Sequence, residues 1–210
     1  MRINIFGGPC SGKSTVAAQL FCQLRIQGTE VELIQEYVKD WAYEERQPKS
    51  FDQLYFLAKQ IRRESLILDS GIDHIVTDSP VLMSCVYAFL GQFPGASNLV
   101  GLCEHFEAAY PSLNLFLDRG DLPYKKVGRY QTYEEAKELD GRIRGILDAT
   151  STRYVVLPAT DIEQILSVVQ VAIEEVENAK TKAQDTVVET NIAEEEAGRN
   201  RGGQAKARDE

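Results

Sequence analysis

Residues 7–14 read Gly7-Gly8-Pro9-Cys10-Ser11-Gly12-Lys13-Ser14 and match the pattern G-x-x-x-x-G-K-[ST] at every fixed position. The stretch in front of the octet, Arg2-Ile3-Asn4-Ile5-Phe6, alternates polar and apolar side chains over the length of a short strand. Behind it, Val16, Ala17, Leu20, Phe21 and Leu24 recur at three- and four-residue steps, which predicts a helix. Gly-Lys-Ser triplets also occur in ordinary turns, but a complete octet between a strand and a helix is a far narrower signal.

The chemistry follows from the backbone. Glycines let successive N–H groups converge on a polyphosphate, with the positive end of the next helix beneath it. The candidate nucleotide-binding set is therefore Gly7, Gly8, Pro9, Cys10, Ser11, Gly12, Lys13, Ser14 and Thr15. Lys13 can reach the transferring end of a nucleoside triphosphate, and the Ser14 hydroxyl can ligate magnesium. ATP and Mg2+ are the expected ligands.

Composition sets bounds on the rest. A chain of 210 residues that is 43% hydrophobic can bury one substantial core and carry a tail. The 32 acidic against 23 basic residues leave a formal charge of -9, which disfavours broad attraction to nucleic acid but leaves room for a local basic groove. Cys10, Cys22, Cys85 and Cys103 have neither metal-ligand spacing nor the density of a secreted disulfide framework. A reducing compartment is expected, the cytoplasm of the cell or of a phage host. Cys10 is read as loop filler, with backbone donors able to lower its pKa as the alternative. No basic segment followed by a long apolar run precedes the octet, so neither a cleaved signal nor a membrane span is expected.

Along the chain, Val31–Ile34 predicts a second strand, and Glu36 follows its end within Gln35-Glu36-Tyr37-Val38-Lys39-Asp40-Trp41. A carboxylate there falls on the edge where open α/β sheets bind ligands. Glu36 is a candidate for orienting an acceptor hydroxyl, with Tyr37, Asp40 and Trp41 as neighbours for an acceptor ring or its polar groups; the plain alternative is a capped helix start. A helical pattern over 52–69 uses Leu54, Leu57, Ala58, Ile61, Leu66 and Leu68 as its expected packed side. Arg62 and Arg63 interrupt it, either as phosphate or acceptor contacts or as surface charges.

Residues 74–78 predict a third strand, ending in Asp78 and followed by Ser79-Pro80, and an Asp at the end of such a strand can hold magnesium through water close to Lys13. Leu113–Leu117 predicts a fourth strand, followed by Asp118-Arg119 and the basic segment through Lys125, Lys126 and Arg129. Such a segment can close over a site, exclude water and bring charge to transferring oxygens. Arg119 and Arg129 are the leading candidates because guanidinium donors match phosphate geometry. Arg142 and Arg144 follow in a helix starting at Tyr133 or Glu134; their i,i+2 spacing allows at most one to face the site. Tyr154–Leu157 predicts a fifth strand, and a helix follows over about 162–176. The expected organisation is a domain over 1–178 and a flexible mixed-charge tail over 179–210.

Five short strands alternating with helices argue for a three-layer α/β fold with a mainly parallel sheet. The segments at 7–14 (GGPCSGKS), 35–41 (QEYVKDW), 77–80 (TDSP) and 118–131 (DRGDLPYKKVGRYQ) together resemble the P-loop nucleoside and nucleotide kinase superfamily. Among its branches the chain looks most like the kinase domain of bifunctional NAD-biosynthesis regulators and related phage-encoded ATPase/kinase proteins. The resemblance covers about residues 1–176 and implies the P-loop NTPase fold, strand order 2-3-1-4-5, ATP with magnesium and a mobile arginine-bearing lid. It places Lys13 and Ser14 at the triphosphate and metal, Glu36 on the acceptor side, Asp78 at the metal and Arg129 in the lid. The nicotinamide-riboside branch often carries an acidic residue beside its lid arginine, where this chain has Lys126-Val127-Gly128.

The favoured expectation is ATP-dependent phosphoryl transfer to a nucleoside-like or nucleotide acceptor, with Lys13, Glu36, Asp78, Arg119 and Arg129 as the catalytic set. A hydroxymethylated pyrimidine in phage DNA is a second acceptor and predicts an elongated positive channel. An ATP- or GTP-driven hydrolase or a nucleotide-dependent interaction switch is the alternative of a different class. A homo-oligomer is open on this evidence.

Overall fold

The computed structural model describes residues 1–49, 51–124 and 131–182. Its elements are β1 (Arg2–Phe6), α1 (Lys13–Ile26), β2 (Val31–Ile34), α2 (Lys39–Tyr43), α3 (Asp52–Asp69), β3 (His74–Thr77), α4 (Leu82–Leu90), α5 (Ala96–Ala109), β4 (Ser112–Asp118), α6 (Tyr133–Ala149) and β5 (Val155–Pro158). Residues 162–169 are helical and complete a compact unit, Met1–Val169; a second unit begins at Gln170, and its described residues 170–182 are helical.

The strands form one five-stranded sheet in the order β2-β3-β1-β4-β5, and every pairing is parallel. Parallel neighbours require crossovers, and the intervening helices cover both faces of the sheet to give three layers. β1 sits at the centre, with Ile3 opposite Val76 on one side and Leu113 on the other. The alternation in β1 predicts one polar face, yet all five of its residues are buried. The cause is its central place in a doubly covered sheet, where both faces lie under helices.

Arg2 is buried there because acceptors converge on it. Its Nε donates to the Tyr110 carbonyl at 2.6 Å, Nη1 meets Glu64 at 3.2 Å, Nη2 meets Glu107, and the guanidinium lies over the Phe106 ring. An isolated buried charge would cost several kcal/mol, and this shell of partners offsets the loss of water. Burial pushes the Glu64 carboxyl above its ordinary range, while the Arg2 charge and a hydrogen bond from Gln60 oppose that shift.

α3 keeps its expected length but turns a different face inward. Phe56, Leu57, Gln60 and Glu64 are buried, whereas Leu54 and Leu66 are about half exposed at 47% and 50%. Gln60 donates to Glu64 at 2.7 Å and to Thr77 at 3.2 Å, so two polar residues are held inside by pairing. Residue hydrophobicity alone recovers only part of the buried stripe, Leu57 and the core-packed Ile61. The main core lies between α3–α6 and the sheet face carrying Phe6 and Phe116, and it includes Leu57, Val86, Cys103 and Ile143.

No helix among the described residues is long and apolar enough to cross a membrane.

Candidate functional site

Parallel strands deliver their C-terminal ends to one edge, so the loops after β1, β2, β3 and β4 all open on the same side. The loop after β1 is the octet. Gly7 and Gly12 have φ of 146° and 88°, and Cys10 has φ of 58°, an uncommon conformation for a residue with a side chain. Gly12 precedes the first residue of α1, so the start of that helix opens directly from the bend. Lys13 folds back over the loop, its Nζ 3.0 Å from the Gly8 carbonyl.

A cavity of about 720 Å³ lies over this edge. Pro9, Cys10, Gly12, Lys13, Ser14 and Thr15 form its phosphate-loop wall. Opposite them stand Glu36 and Tyr37 from the loop after β2, Gln53, Phe56 and Gln60 from α3, and Met83, Ser84 and Tyr87 from α4. Leu122, Pro123 and Gln131 border it at the two ends of the basic segment. Lys125, Lys126 and Arg129 lie outside the described residues.

Asp78 is buried at the end of β3, and its Oδ1 accepts the Glu36 backbone N–H at 2.8 Å. That bond ties the loop carrying Glu36 to the loop carrying Asp78. Arg63 secures the same loop from α3, donating to the Gln35 carbonyl at 3.0 Å. Among the described residues no three His, Cys, Asp or Glu side chains cluster into a metal cage. Magnesium needs none: it takes one or two protein oxygens and fills its octahedron with phosphate and water oxygens. Ser14 on the cavity wall and Asp78 at the strand end are oxygen donors of that kind.

Several expected site residues have other tasks. Arg119 does not line the cavity; it is 6% exposed, and its donors reach Asp140 at 2.7 Å, the Pro9 carbonyl at 3.1 Å and the Ala136 carbonyl at 3.0 Å. Three acceptors hold the guanidinium beneath the phosphate loop, where it braces the bend. The Gly8 amide donates to Asp140 Oδ1 at 2.6 Å, so that N–H points at α6 instead of at a ligand. Ser11 is fully buried and, like Gly7 and Gly8, is not part of the cavity wall.

On the acceptor side, Trp41 is buried, packs edge-on against Phe56 at 4.8 Å and is covered by Arg46 at 3.6 Å, which makes it an anchor for α2. Asp40, Arg62 and Arg63 are exposed and do not line the cavity. Tyr37 does line it; its hydroxyl lies 2.9 Å from that of Tyr55, a contact that raises the Tyr37 phenol above its ordinary pKa. Neither arginine of α6 joins the site: Arg142 pairs with Glu138 at 2.6 Å, and Arg144 covers the Phe116 ring at 4.4 Å.

Sequence reasoning misses Asp140, Gln60, Ser84 and Tyr87. Two of them carry a readable signal. Asp140 falls one turn after Ala136 and close to Ile143 on the buried side of α6, and Gln60 follows Phe56 and Leu57 on the buried side of α3. A polar residue interrupting an apolar helical stripe implies a buried partner. Ser84 and Tyr87 have no such signal, because their place depends on how α4 meets the loop after β2.

Comparison with known proteins agrees with the fold. A family model described as an AAA domain matches residues 2–164. The solved structure of a deoxyadenosine kinase from M. mycoides, determined with the products dCMP and a flexible dCDP bound, aligns with a TM-score of 0.51 at 15% identity, covering 84% of this chain and 100% of that one. At that identity the likeness speaks for the fold. No curated protein matches the sequence.

Proposed function

Because the chain belongs to the AAA-domain family, matched over residues 2–164, we propose that it is a phosphotransferase that moves the terminal phosphoryl group of ATP to a nucleoside-like or nucleotide small molecule. The observation that carries this reading is that one cavity of about 720 Å³ has Lys13, Ser14 and Thr15 on one wall and Glu36, Tyr37, Gln60 and Tyr87 on the other. A hydrolase needs room for a water beyond the phosphates, whereas this volume falls in the range of small-molecule sites, about 300–1,000 Å³. The described lining contains two cations, Lys13 and Lys39, which favours a closed small-molecule pocket over an elongated positive channel for modified DNA.

In this reading the loop amides and the start of α1 hold the phosphates, and Lys13 exchanges its contact with the Gly8 carbonyl for the transferring phosphoryl oxygens. Ser14 and Asp78 would hold magnesium, which supplies charge neutralisation at the phosphate oxygens. Glu36 orients the acceptor hydroxyl and takes its proton, held in position by the Asp78 contact with its backbone. Tyr37 and Phe56 flank an acceptor ring. Arg129, the lid arginine implied by the sequence resemblance, is assigned the positive charge offered to the transferring oxygens. The narrower resemblance to NAD-biosynthesis regulators rests on the sequence segments at 7–14, 35–41, 77–80 and 118–131, and nicotinamide riboside accordingly belongs among the acceptors to be tried.

The test is a transfer screen with purified protein, magnesium and ATP labelled in its terminal phosphate, offering free nucleosides, nucleotides, nicotinamide riboside and hydroxymethylated DNA separately. Label on a nucleoside or nucleotide is the expected result. Label released only as inorganic phosphate would make the protein a hydrolase, and label on DNA would move the acceptor to the second reading. Arg129→Ala is expected to lower turnover more than ATP affinity; unchanged turnover would remove Arg129 from the mechanism.

A further inference from the structure

α4 and α5 each bring one cysteine into the core, Cys85 at 0% exposure and Cys103 at 3%. The two sulfurs are 3.4 Å apart, and Cys103 Sγ also lies 3.7 Å from the Val81 carbonyl. Buried thiols usually behave as small hydrophobic groups, and as such they need no partner of their own kind. Here they face one another from two helices, and reaching the disulfide length of about 2.0 Å asks the pair to close by only about 1.4 Å.

Buried thiols react only if an oxidant can reach them, and a second cavity offers the route. It has a volume of about 460 Å³, and Cys103 lines it together with Val81, Leu82 and Thr152. No residue lines both this cavity and the one above the phosphate loop, so a small oxidant can enter without passing the nucleotide site.

We propose that Cys85 and Cys103 form an oxidant-responsive dithiol site that takes hydrogen peroxide or a similarly small peroxide and closes to a disulfide linking α4 to α5. Peroxide reaches the Cys103 sulfur from the cavity; the O–O bond breaks, one oxygen stays on sulfur as a sulfenic acid and the other leaves as water. The Cys85 sulfur then attacks that sulfur, the S–O bond breaks, and the hydroxyl departs as water with the Cys85 proton. Two thiols and one peroxide thus give one disulfide and two waters. The hydrogen bond between the thiols lowers the pKa of Cys85, whereas the same contact, reinforced by burial, raises that of Cys103. Cys85 is therefore the better attacking sulfur in the second step.

The disulfide has a path to the main cavity. Cys85 directly follows Met83 and Ser84, which line that cavity, so a disulfide that draws α4 towards α5 acts on the wall those two residues form. The chemistry itself is independent of which substrate the main cavity takes.

The experiment exposes the folded full-length protein to hydrogen peroxide, blocks remaining thiols and maps peptides without reduction. The expected product is a cross-linked peptide pair joining Cys85 to Cys103, an intact mass lower by two hydrogen atoms in a sample taken before blocking, and full reversal by dithiothreitol. Cys85→Ala and Cys103→Ala should each abolish the cross-link. Should either variant fold poorly, the wild-type map still decides the matter. Recovery of both cysteines as blockable thiols after the exposed Cys22 has been oxidised would overturn the proposal, as would a product pairing either one with Cys10 or Cys22.

Discussion

The two walls of the main cavity are built in opposite ways. The phosphate-loop wall is nearly continuous in sequence: Pro9 to Thr15 supply it, and its shape comes from backbone angles at Gly7, Cys10 and Gly12. The opposite wall draws on the loop after β2, on α3 and on α4, and several of its groups are held by residues well removed in sequence. Asp78 fixes the Glu36 backbone across 42 positions, and Thr77 and Glu64 fix Gln60. A locally built wall depends on conformation, while an assembled wall depends on packing, and mutations should affect them differently.

The largest effect tests the local wall directly. Lys13→Ala should lower phosphoryl transfer by at least about a thousandfold, because it removes a preorganised positive charge from the transferring group. Its circular dichroism and unfolding midpoint should match the wild type, since Lys13 Nζ reaches the Gly8 carbonyl of its own loop. Retained turnover would break the assignment of this wall to phosphate.

Gly8→Ala asks whether the local wall is as independent of packing as its sequence continuity suggests. A Cβ at that position would lie 2.7 Å from the Ala136 carbonyl, 2.7 Å from Asp140 and 2.8 Å from Arg119. Backbone on one side and a held guanidinium on the other leave little room, so overpacking of about 1–3 kcal/mol is expected in denaturant unfolding, together with weaker ATP binding. Unchanged stability would show that α6 yields and that the loop needs no support from it.

Asp140→Asn sharpens the same point with less disruption. The amide oxygen can still accept from Gly8, but the charge that holds Arg119 is gone. The KM for ATP should rise about tenfold, the size of one hydrogen bond to a charged group, with the acceptor KM unchanged. A rise in the acceptor KM instead would mean that α6 serves the other wall.

The smallest expected effect falls on the assembled wall. Tyr37→Phe removes one hydroxyl from the contact with Tyr55 and leaves the ring in place. A change of a few-fold in acceptor KM, with ATP kinetics unchanged, is expected from steady-state measurements in which each substrate is varied in turn. Equal changes for both substrates would erase the distinction between the walls.

Legibility in the sequence follows the same division. The five strands, their boundaries to within a residue or two and the octet between β1 and α1 could be read because period, glycine placement and the Gly-Lys-Ser ending are local properties. The start of α6 was readable too: Thr132 and Glu135 form a reciprocal capping box at the helix start expected near Tyr133. The packed face of α3 was not. Its buried stripe contains Gln60 and Glu64, whose burial makes sense only once Arg2 and Thr77, from other strands, are in place. Arg119 illustrates the limit for single residues. Its guanidinium chemistry suits a phosphate equally well, and only the arrival of α6, with Asp140 and the Ala136 carbonyl, commits it to bracing the loop.

The sequence by itself determined where the chain bends, which stretches are strand and helix, and that a polyphosphate can be seated near its start, because each depends on conformational preferences within a few neighbouring residues. The tertiary structure alone decided which polar side chains are buried, which arginine supports the loop, and which two cysteines meet. Those outcomes depend on residues separated by tens of positions, and a buried charge or a thiol pair becomes stable only where the fold brings its partner within bonding distance.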